Sequence, residues 1–180
     1  MNPHTEQHIS MAEALTVRAA INRKLNQLNH ERLQNSSTYI EKGETAPYPQ
    51  RTVDMITEEI NQVMRDYRRL DRMIAISNTT NVISWDGEDL CILEAIELAK
   101  QLRAEIAQLT HLGSEKKLER LLNRSAIDGG NPIFKVALYD PEAYMITAQK
   151  LERQVTKLSA LIERSNHLNT IPFDASAYMG

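Results

Sequence analysis

Several residue types that usually mark a class of protein are scarce in this sequence. It contains one cysteine, Cys91, so no disulfide can form within the chain, and this fits a reducing cytoplasm. Aromatic residues make up 5% of the chain, and glycine and proline number six each. The composition is instead rich in Leu, Ile, Ala, Glu, Arg and Gln, which favours helix.

The sequence also lacks a strong charge excess and a long apolar run. A formal net charge of −3 argues against a dedicated nucleic-acid binder, because phosphate binding normally needs a basic excess. No apolar run approaches the ~20 residues that cross a bilayer. The first ten residues, MNPHTEQHIS, contain no apolar signal-peptide core. We therefore expect a cytoplasmic protein without a membrane partner.

Motifs that carry catalysis or hold metals are absent as well. The sequence has no phosphate loop, no dinucleotide-binding fingerprint, no serine elbow and no zinc-ligand cluster. His4 and His8 have a metal-capable spacing, but no third ligand lies near them, so we interpret them as a solvated pair. We expect no catalytic residue, no metal and no cofactor, and the protein is predicted not to be an enzyme.

Four long stretches carry apolar residues at alternating spacings of three and four, as coiled-coil seams require. They predict helices over about 10–35, 52–76, 88–112 and 140–166. Ser10 and Glu13 have the capping-box spacing, and Asp140 precedes a proline suited to the first helical position. The first seam consists of Met11, Ala14, Arg18, Ile21, Leu25, Leu28 and Arg32.

These helices predict a mainly α fold, an elongated antiparallel bundle of four long coiled-coil-like helices. One domain would span 10–170, with a flexible extension at 1–9 and a mobile tail at 171–180. A small β-hairpin at about 121–138 is predicted between helices three and four, with strands at 121–127 and 133–138. Two strands alone are marginal in water, so we expect the hairpin to pack on a second copy in a homo-oligomer.

Two arginines on the first seam, Arg18 and Arg32, stand where apolar residues are expected. A buried arginine must be paired, because its desolvation costs several kcal/mol. One interpretation is structural, either a pair with a glutamate inside the bundle or a side chain that reaches water at a wide part of it. A second is an anion site, in which the guanidinium offers its two-pronged hydrogen bonding to a phosphate or carboxylate. A third is that the register of the seam is misassigned at these positions.

The loop SNTTNVISWDGED at 77–89 follows the second helix and is dense in short polar side chains. Asn78 and Asn81 can simply cap that helix, with a turn at 86–87. Alternatively, Thr80, Asn81 and the stacking face of Trp85 can bind a small polar ligand. The stretch RSNHLNT, which contains Asn166, echoes this loop at the end of the fourth helix. In an antiparallel bundle the two polar ends can converge.

Several stretches in one order resemble the septicolysin family of small, largely uncharacterised helical bacterial and phage proteins. They are MAEALTVRAAINRKLNQLNHERL, IAISNTTN, DGEDL, NPIFKVALYD and LERQVTKLSALIERSNHLN. The family similarly places an arginine where Arg18 stands and ends its second helix in an Ile-Asn-x-Thr-Asn pattern. The resemblance implies a helical fold and singles out Arg18, Asn78, Thr80 and Asn81. The cytolysin activity that the family name suggests would need a secretion signal and a membrane-inserting segment.

Two functions from different classes remain open. The first is a non-enzymatic homo-oligomer that sequesters a small anionic ligand, such as a nucleotide derivative. Arg18 would bind the anion, and Asn78, Asn81 and Asn166 would line the polar edge of the site. The second is a structural or adaptor scaffold that binds other proteins through its charged helix faces.

Overall fold

The computed structural model describes residues 7–121 and 131–179, and it is mainly helical. Helices account for 62% of these residues and are joined by small antiparallel strand pairs, so the predicted helical class is confirmed. In chain order the elements are β1 (His8–Ser10), α1 (Met11–Gln34), α2 (Val53–Thr80), β2 (Val82–Trp85), β3 (Glu88–Cys91), α3 (Ile92–Gly113), β4 (Leu118–Leu121), β5 (Ile133–Val136), α4 (Pro141–Leu168) and β6 (Thr170–Pro172).

The helices begin where short polar side chains can cap them. The Ser10 Oγ atom accepts a hydrogen bond from the Glu13 backbone N–H at 3.2 Å, and the Glu13 carboxylate accepts one from the Ser10 N–H at 2.7 Å. This is the predicted capping box. Thr52 caps α2 in a simpler way, through the Met55 N–H at 3.2 Å. These bonds satisfy backbone donors that a helix start otherwise leaves without a partner.

Contacts divide the chain into two compact units, where the sequence predicted one domain. The first unit spans Met1–Val82 and Glu163–Gly180. In it α1 and α2 run antiparallel. The ion pair between Arg18, near the start of α1, and Asp71, late in α2, shows this arrangement. Its core is apolar and consists of Ile9, Met11, Ala14, Val17, Ile21, Leu28, Ile56, Ile60, Val63, Leu70, Ile74, Ile171, Phe173 and Ala175.

The segment after α4 belongs to this first core, and the prediction of a mobile tail is wrong for it. Strand β6 pairs antiparallel with β1, and Ile171 lies opposite Ile9. Phe173 and Ala175 are buried. The Tyr178 hydroxyl donates a hydrogen bond to Asp66 Oδ2 at 2.6 Å, and burial, together with this partner, raises the pKa of Tyr178. The predicted flexible extension is likewise wrong from residue 8 onward, while residues 1–6 lie outside the described range.

The second unit spans Ile83–Ile162 and pairs α3 with most of α4. Arg103 on α3 donates a hydrogen bond to Ser159 Oγ on α4 at 2.8 Å. The buried centre is small and alanine-rich. It consists of Ala95, Ala99, Val155 and Leu158, surrounded by the partly buried Ile83, Trp85, Leu90, Leu98, Leu102, Ile106 and Ile162.

A hairpin made of β2 and β3 precedes α3, where the sequence was interpreted as a loop. Its two-residue turn has Asp86 at φ 52° and Gly87 at φ 86°. Positive φ at both central residues is the geometry of the tight hairpin turn that Asp-Gly favours. The turn was expected, but the flanking strands of four residues each were not.

The hairpin between α3 and α4 exists, but its first strand was misplaced. Strand β4 covers Leu118–Leu121, not 121–127, and it pairs antiparallel with β5, which lies within the predicted second strand. Residues 122–130, which hold most of the predicted first strand and turn, are outside the described range. The Lys117 ammonium closes the base of the hairpin by donating to the Ala137 and Tyr139 carbonyl oxygens at 3.0 and 2.6 Å.

Two broader expectations have different outcomes. Within the residues that the structure describes, no helix combines the length and apolar character needed to span a bilayer. The assembly of all four helices into one bundle with coiled-coil geometry stays a prediction.

Candidate functional site

A cavity of about 440 Å³ lies against the C-terminal turns of α2 in the first unit. One wall is helical and the other is strand β6, which follows α4. The lining combines one arginine with hydroxyl, amide and apolar groups, and it consists of Arg72, Met73, Ile76, Ser77, Thr80, Asn81, Thr170, Ile171 and Pro172. Two of the sequence-predicted site residues, Thr80 and Asn81, are among them.

Asn81 ends α2 and holds the last turn in place. Its backbone is extended, at φ −81° and ψ 135°, and its N–H bonds to the Ser77 carbonyl oxygen at 3.0 Å. The side-chain Nδ2 donates to the same carbonyl at 2.9 Å and to Ser77 Oγ at 2.8 Å. Both Asn81 donors are therefore used in capping, and the Oδ1 atom is the group that can accept a hydrogen bond from a ligand.

The Thr80 hydroxyl likewise bonds to the helix backbone and keeps a free acceptor. It donates to the Ile76 carbonyl oxygen, four residues earlier in the same helix, at 2.9 Å. The hydroxyl oxygen can still accept, so a ligand with hydroxyl or amine donors fits this end of the cavity. Residues 77–80, which were interpreted as part of a loop, are therefore the last turn of α2, and Thr80 and Asn81 both stabilise this turn and line the cavity.

Arg72 is the residue that the sequence interpretation missed. It is exposed on α2 and lines the same cavity. Residues 72, 76 and 80 are four apart and therefore share one helix face. The signal was present in this spacing, but Arg72 belongs to the charged stretch RDYRRLDR, whose mixed-charge pattern is typical of a solvated helix face.

Arg18 was predicted on the inner seam, and that placement is wrong. The seam passes through Val17, which is fully buried, while the Arg18 side chain is 38% exposed. Its Nη1 atom lies 3.3 Å from Asp71 Oδ1, so it forms a surface ion pair between α1 and α2. Arg32 is half-buried and donates to Asn29 Oδ1 at 3.0 Å and to Thr57 Oγ1 at 3.5 Å. Neither arginine lines the cavity.

The other predicted site residues lie elsewhere. Trp85 packs on the apolar centre of the second unit. Asn78 and Asn166 are half-buried on α2 and α4, and they do not line the cavity. Strand β6, which follows α4, does reach the end of α2, so chain from both polar helix ends meets at this cavity.

The groups that line the cavity decide which chemistry it offers. It brings together no nucleophile and base of the kind that hydrolases use. Across residues 7–121 and 131–179, no three His, Cys, Asp or Glu side chains gather in a group that could hold a metal ion. What the lining offers is one cation, several hydrogen-bonding groups and an apolar wall.

Comparison with known proteins bears on the fold alone. No protein-family model matches the chain, and no curated protein matches it. Among solved structures, it is similar to a functionally unknown conserved protein from Corynebacterium diphtheriae, with a TM-score of 0.62 and 19% identity. The match covers 92% of this chain and 99% of that one. At this identity the likeness shows a shared fold and carries no function.

Proposed function

We propose that the protein is a non-enzymatic homo-oligomer that binds or sequesters a small anionic ligand, with nucleotide derivatives as the class to test first. The observation that carries this proposal is the α2 cavity, in which Arg72 shares a face with Thr80. Arg72 takes the anion-binding role that Arg18 was expected to have, because Arg18 is paired with Asp71. Sequestration needs no catalytic residue.

The charge layout of the cavity favours a ligand with two unlike ends. A helix C-terminus carries partial negative charge, which repels an anion, but the effect decays within the last turn. Arg72 stands about 12 Å along the helix axis from Thr80, at 1.5 Å per residue, beyond that turn. An anionic group therefore fits at Arg72, and a neutral, hydroxyl-bearing group fits at Thr80 and Asn81. A nucleotide, with its phosphate and ribose, has this division.

Binding of AMP, ADP and ribose 5-phosphate, measured by calorimetry, tests the proposal. Arg72→Gln should weaken binding by about 10–100-fold, the worth of one charge-assisted hydrogen bond. The melting temperature should barely change, because Arg72 is exposed. Arg69→Gln, which changes another exposed arginine of α2 outside the cavity, is the matched control. If none of the three compounds binds the unaltered protein, the proposal is wrong.

The hairpin of β4 and β5 supports the homo-oligomer. Its register places Leu118, Phe134 and Val136 on one face, because Leu118 lies opposite Val136 and side chains alternate along a strand. All three are exposed, and so is Leu138 just beyond the strand. Exposed apolar groups clustered in this way mark interaction surfaces. We propose that a second copy covers this face in a cytoplasmic homo-oligomer.

Light scattering with a double variant, Phe134→Glu and Val136→Glu, tests the assembly. The unaltered protein should have a mass of at least twice the 20.5 kDa of one chain, and the variant should have about half the mass of the dimer. Lys157→Glu, on an exposed position of α4, should leave the mass unchanged. An oligomer that binds none of the three compounds would favour the alternative function, a scaffold for other proteins. A mass of one chain would reject the assembly.

A further inference from the structure

The order of elements repeats within the chain. A strand, two long helices and a strand make up the first half, β1-α1-α2-β2, and the same series recurs as β3-α3-α4-β6 with the β4–β5 hairpin inserted between its helices. Helices α2 and α4 are both 28 residues long. Since they begin at Val53 and Pro141 and end at Thr80 and Leu168, every residue of α2 has a counterpart 88 positions further on.

Burial follows this correspondence. Leu158 on α4 and its counterpart Leu70 on α2 are both 0% exposed. The pairs along the two seams are Ile56 and Tyr144, Ile60 and Ala148, Val63 and Leu151, Tyr67 and Val155, Leu70 and Leu158, Ile74 and Ile162, and Ser77 and Ser165. A seam that keeps its phase over the whole length of two helices indicates one structural template used twice.

The first helices of the two halves correspond in the same way, at a spacing of 81 residues from Met11 to Ile92. Both begin with a capping box, Ser10 with Glu13 and Cys91 with Glu94. The cap backbones agree closely, with φ −66° in both and ψ 159° and 158°. In each half, hydrogen bonds from the cap residue hold the pKa of the glutamate below its usual value.

The halves differ in the segment that joins their two helices. Residues 35–52 join α1 to α2 without a helix or strand, whereas residues 114–140, between α3 and α4, include the β4–β5 hairpin. A connection of 18 residues without secondary structure of its own is uncommon in a compact fold, and ordered connections of this length usually carry a function. Residues 35–52 are therefore a candidate for a function that the shared template does not explain.

The first connection contains a cavity of about 510 Å³, within the range of small-molecule sites. Its lining consists of residues 34–38 and 46–49, and none of these nine side chains carries a formal charge at neutral pH. They supply amide groups, hydroxyl groups, one aromatic ring and two prolines. The α2 cavity, by contrast, is lined by Arg72, so the two cavities suit ligands of different charge.

The surroundings keep this cavity uncharged and hold its shape. Arg51 follows the lining residues in the sequence, but its Nη1 atom lies 2.9 Å from Glu31 Oε2 and its Nη2 atom pairs with Glu59. The Arg51 carbonyl oxygen accepts a hydrogen bond from Asn35 Nδ2 at 3.0 Å, which ties the beginning of the connection to its end. The two prolines restrict the backbone further. A cavity held in this way loses less conformational freedom when a ligand binds.

The polar groups of the lining have bonding capacity to spare. The Ser37 and Thr38 hydroxyls bond to no other group within the part of the chain that the structure describes. Asn35 uses one amide hydrogen on Arg51, which leaves its other N–H and its Oδ1 atom for a ligand. Hydroxyl and amide groups both donate and accept, and so do the hydroxyls of a sugar.

Tyr48 supplies the apolar part of the lining. Its side chain is 88% exposed, so one face of the ring is open to a ligand. A saccharide ring carries C–H groups on its faces and hydroxyl groups around its rim. An aromatic face beside neutral hydrogen-bonding groups matches both parts, because the ring covers the C–H groups while the polar groups bind the rim.

We propose that this cavity binds a neutral saccharide. Tyr48 stacks on the sugar ring, and Asn35, Ser37 and Thr38 bond to its hydroxyls. The proposal does not rest on the α2 cavity, since the two sites share no residue and differ in charge.

NMR titration of the whole protein tests the proposal, with glucose, galactose, mannose, N-acetylglucosamine, maltose and cellobiose as probes. At least one probe should bind with a Kd of about 1 mM or below and should shift the amide signals of residues 34–38 and 46–49. Tyr48→Ala should weaken binding by about 10-fold, because the stacking face is lost. Tyr48→Phe keeps the ring and should stay within about 3-fold of the unaltered protein.

Tyr39→Ala is the matched control, since Tyr39 is a fully exposed tyrosine of the same connection that does not line the cavity. It should leave binding unchanged, and neither alanine variant should alter the melting temperature, because both side chains are exposed. Thr38→Val, which removes a hydroxyl at nearly constant volume, should weaken binding by about 3-fold.

Three results would overturn the proposal. The first is that none of the six sugars binds. The second is that Tyr39→Ala weakens binding as much as Tyr48→Ala, or that the shifted signals lie outside the lining. The third is that adenosine, a neutral nucleoside, binds in this cavity while no saccharide does. Failure of the α2 site is separate, because Arg72→Gln should leave saccharide binding unchanged and Tyr48→Ala should leave nucleotide binding unchanged.

Discussion

The first helix pair, α1 and α2, and the second pair, α3 and α4, follow one plan but are packed with different side chains. The apolar seam of α2 is filled by large aliphatic side chains such as Ile56, Ile60 and Leu70. The second unit centres on Ala95, Ala99, Val155 and Leu158, and other large apolar residues around this centre, such as Leu102, are only partly buried. The same arrangement of elements therefore accommodates large branched side chains in one pair and a centre with two alanines in the other.

The two pairs also use one position for different chemistry. Asp71 on α2 and its counterpart Ser159 on α4 each accept a hydrogen bond from an arginine of the preceding helix. Arg18 meets the carboxylate in the first pair, and Arg103 meets the hydroxyl in the second. The position links the helices in both halves, but only the first link is an ion pair.

A third position shows how closely the helices approach. In the first pair Arg32 reaches Thr57 with a hydrogen bond of 3.5 Å. The counterparts of these residues are Gly113 and Met145, where a side chain on the glycine would come within 2.9 Å of the Met145 backbone. In the first pair the long Arg32 side chain bridges the space between the two helices. In the second pair Gly113 has no side chain, so the two helix backbones can approach closely.

The largest effect should come from the shared seam. Leu70→Ala and Leu158→Ala remove equivalent, fully buried side chains, so each should lower the free energy of unfolding by about 2–5 kcal/mol. Urea unfolding measures both, and Met64→Ala, at an exposed position of α2, should change it by less than about 0.5 kcal/mol. A cost below about 1 kcal/mol at only one of the two leucines would break the equivalence of the halves.

The next effect should come from the close approach in the second pair. Gly113→Ala would place its Cβ atom 2.9 Å from the N, Cα and Cβ atoms of Met145, and backbone atoms cannot move aside cheaply. We expect a loss of about 1–3 kcal/mol, the usual cost of overpacking. The control is Arg32→Ala, the counterpart, which should cost less. A Gly113→Ala protein with raised stability in thermal unfolding would show that general helix propensity outweighs the contact.

The capping boxes should differ in strength. Ser10→Ala should cost about 0.5–2 kcal/mol, because the Glu13 N–H loses its acceptor. The cap of α3 is a thiol, and the Glu94 N–H lies 3.5 Å from the Cys91 Sγ atom. Sulfur is a weak acceptor, so Cys91→Ser should raise the melting temperature, whereas Ser10→Cys should lower it. If Cys91→Ser and Ser10→Cys shifted the melting temperature by equal amounts in the same direction, the two caps would not differ in strength.

The smallest effect should come from the arginine links. Arg18→Ala should change stability by less than about 1 kcal/mol, because the ion pair with Asp71 is exposed. If Arg18 were buried on the seam, as the sequence predicted, the same substitution would cause a larger loss of stability. About 1 M salt should remove most of the Arg18→Ala effect by screening, but not that of Arg103→Ala, whose partner is neutral. Equal salt dependence would contradict this distinction.

Local patterns predicted the helices well, because heptad spacing and capping residues act within a few positions of each other. The phase of the first seam was harder, since residues 17 and 18 both satisfy a spacing of three or four from Ala14 and Ile21. Only the contact with α2 selects Val17 for the core and leaves Arg18 on the surface. A pattern within one helix cannot supply that information.

The strands and the cavity were predicted less completely. The pairing of β1 with β6 joins residues from opposite ends of the series of elements, and no local pattern reports it. Part of the cavity wall is β6, so Thr170 could not be assigned to the site from the sequence. The β2–β3 hairpin was different, because its Asp-Gly turn was recognised and the short flanking strands were not.

The position of residues 171–175 in the first core has a consequence for synthesis on the ribosome. The second unit is one continuous stretch of chain, whereas the first unit is closed by residues that are translated after it. Nascent chains from which residue 162 has just emerged from the ribosome should therefore resist protease within α3 and the part of α4 up to Ile162, while α1 and α2 stay susceptible. We expect an inverted order of maturation, in which the helices made first must wait for Ile171 and Phe173 before their apolar faces are fully covered.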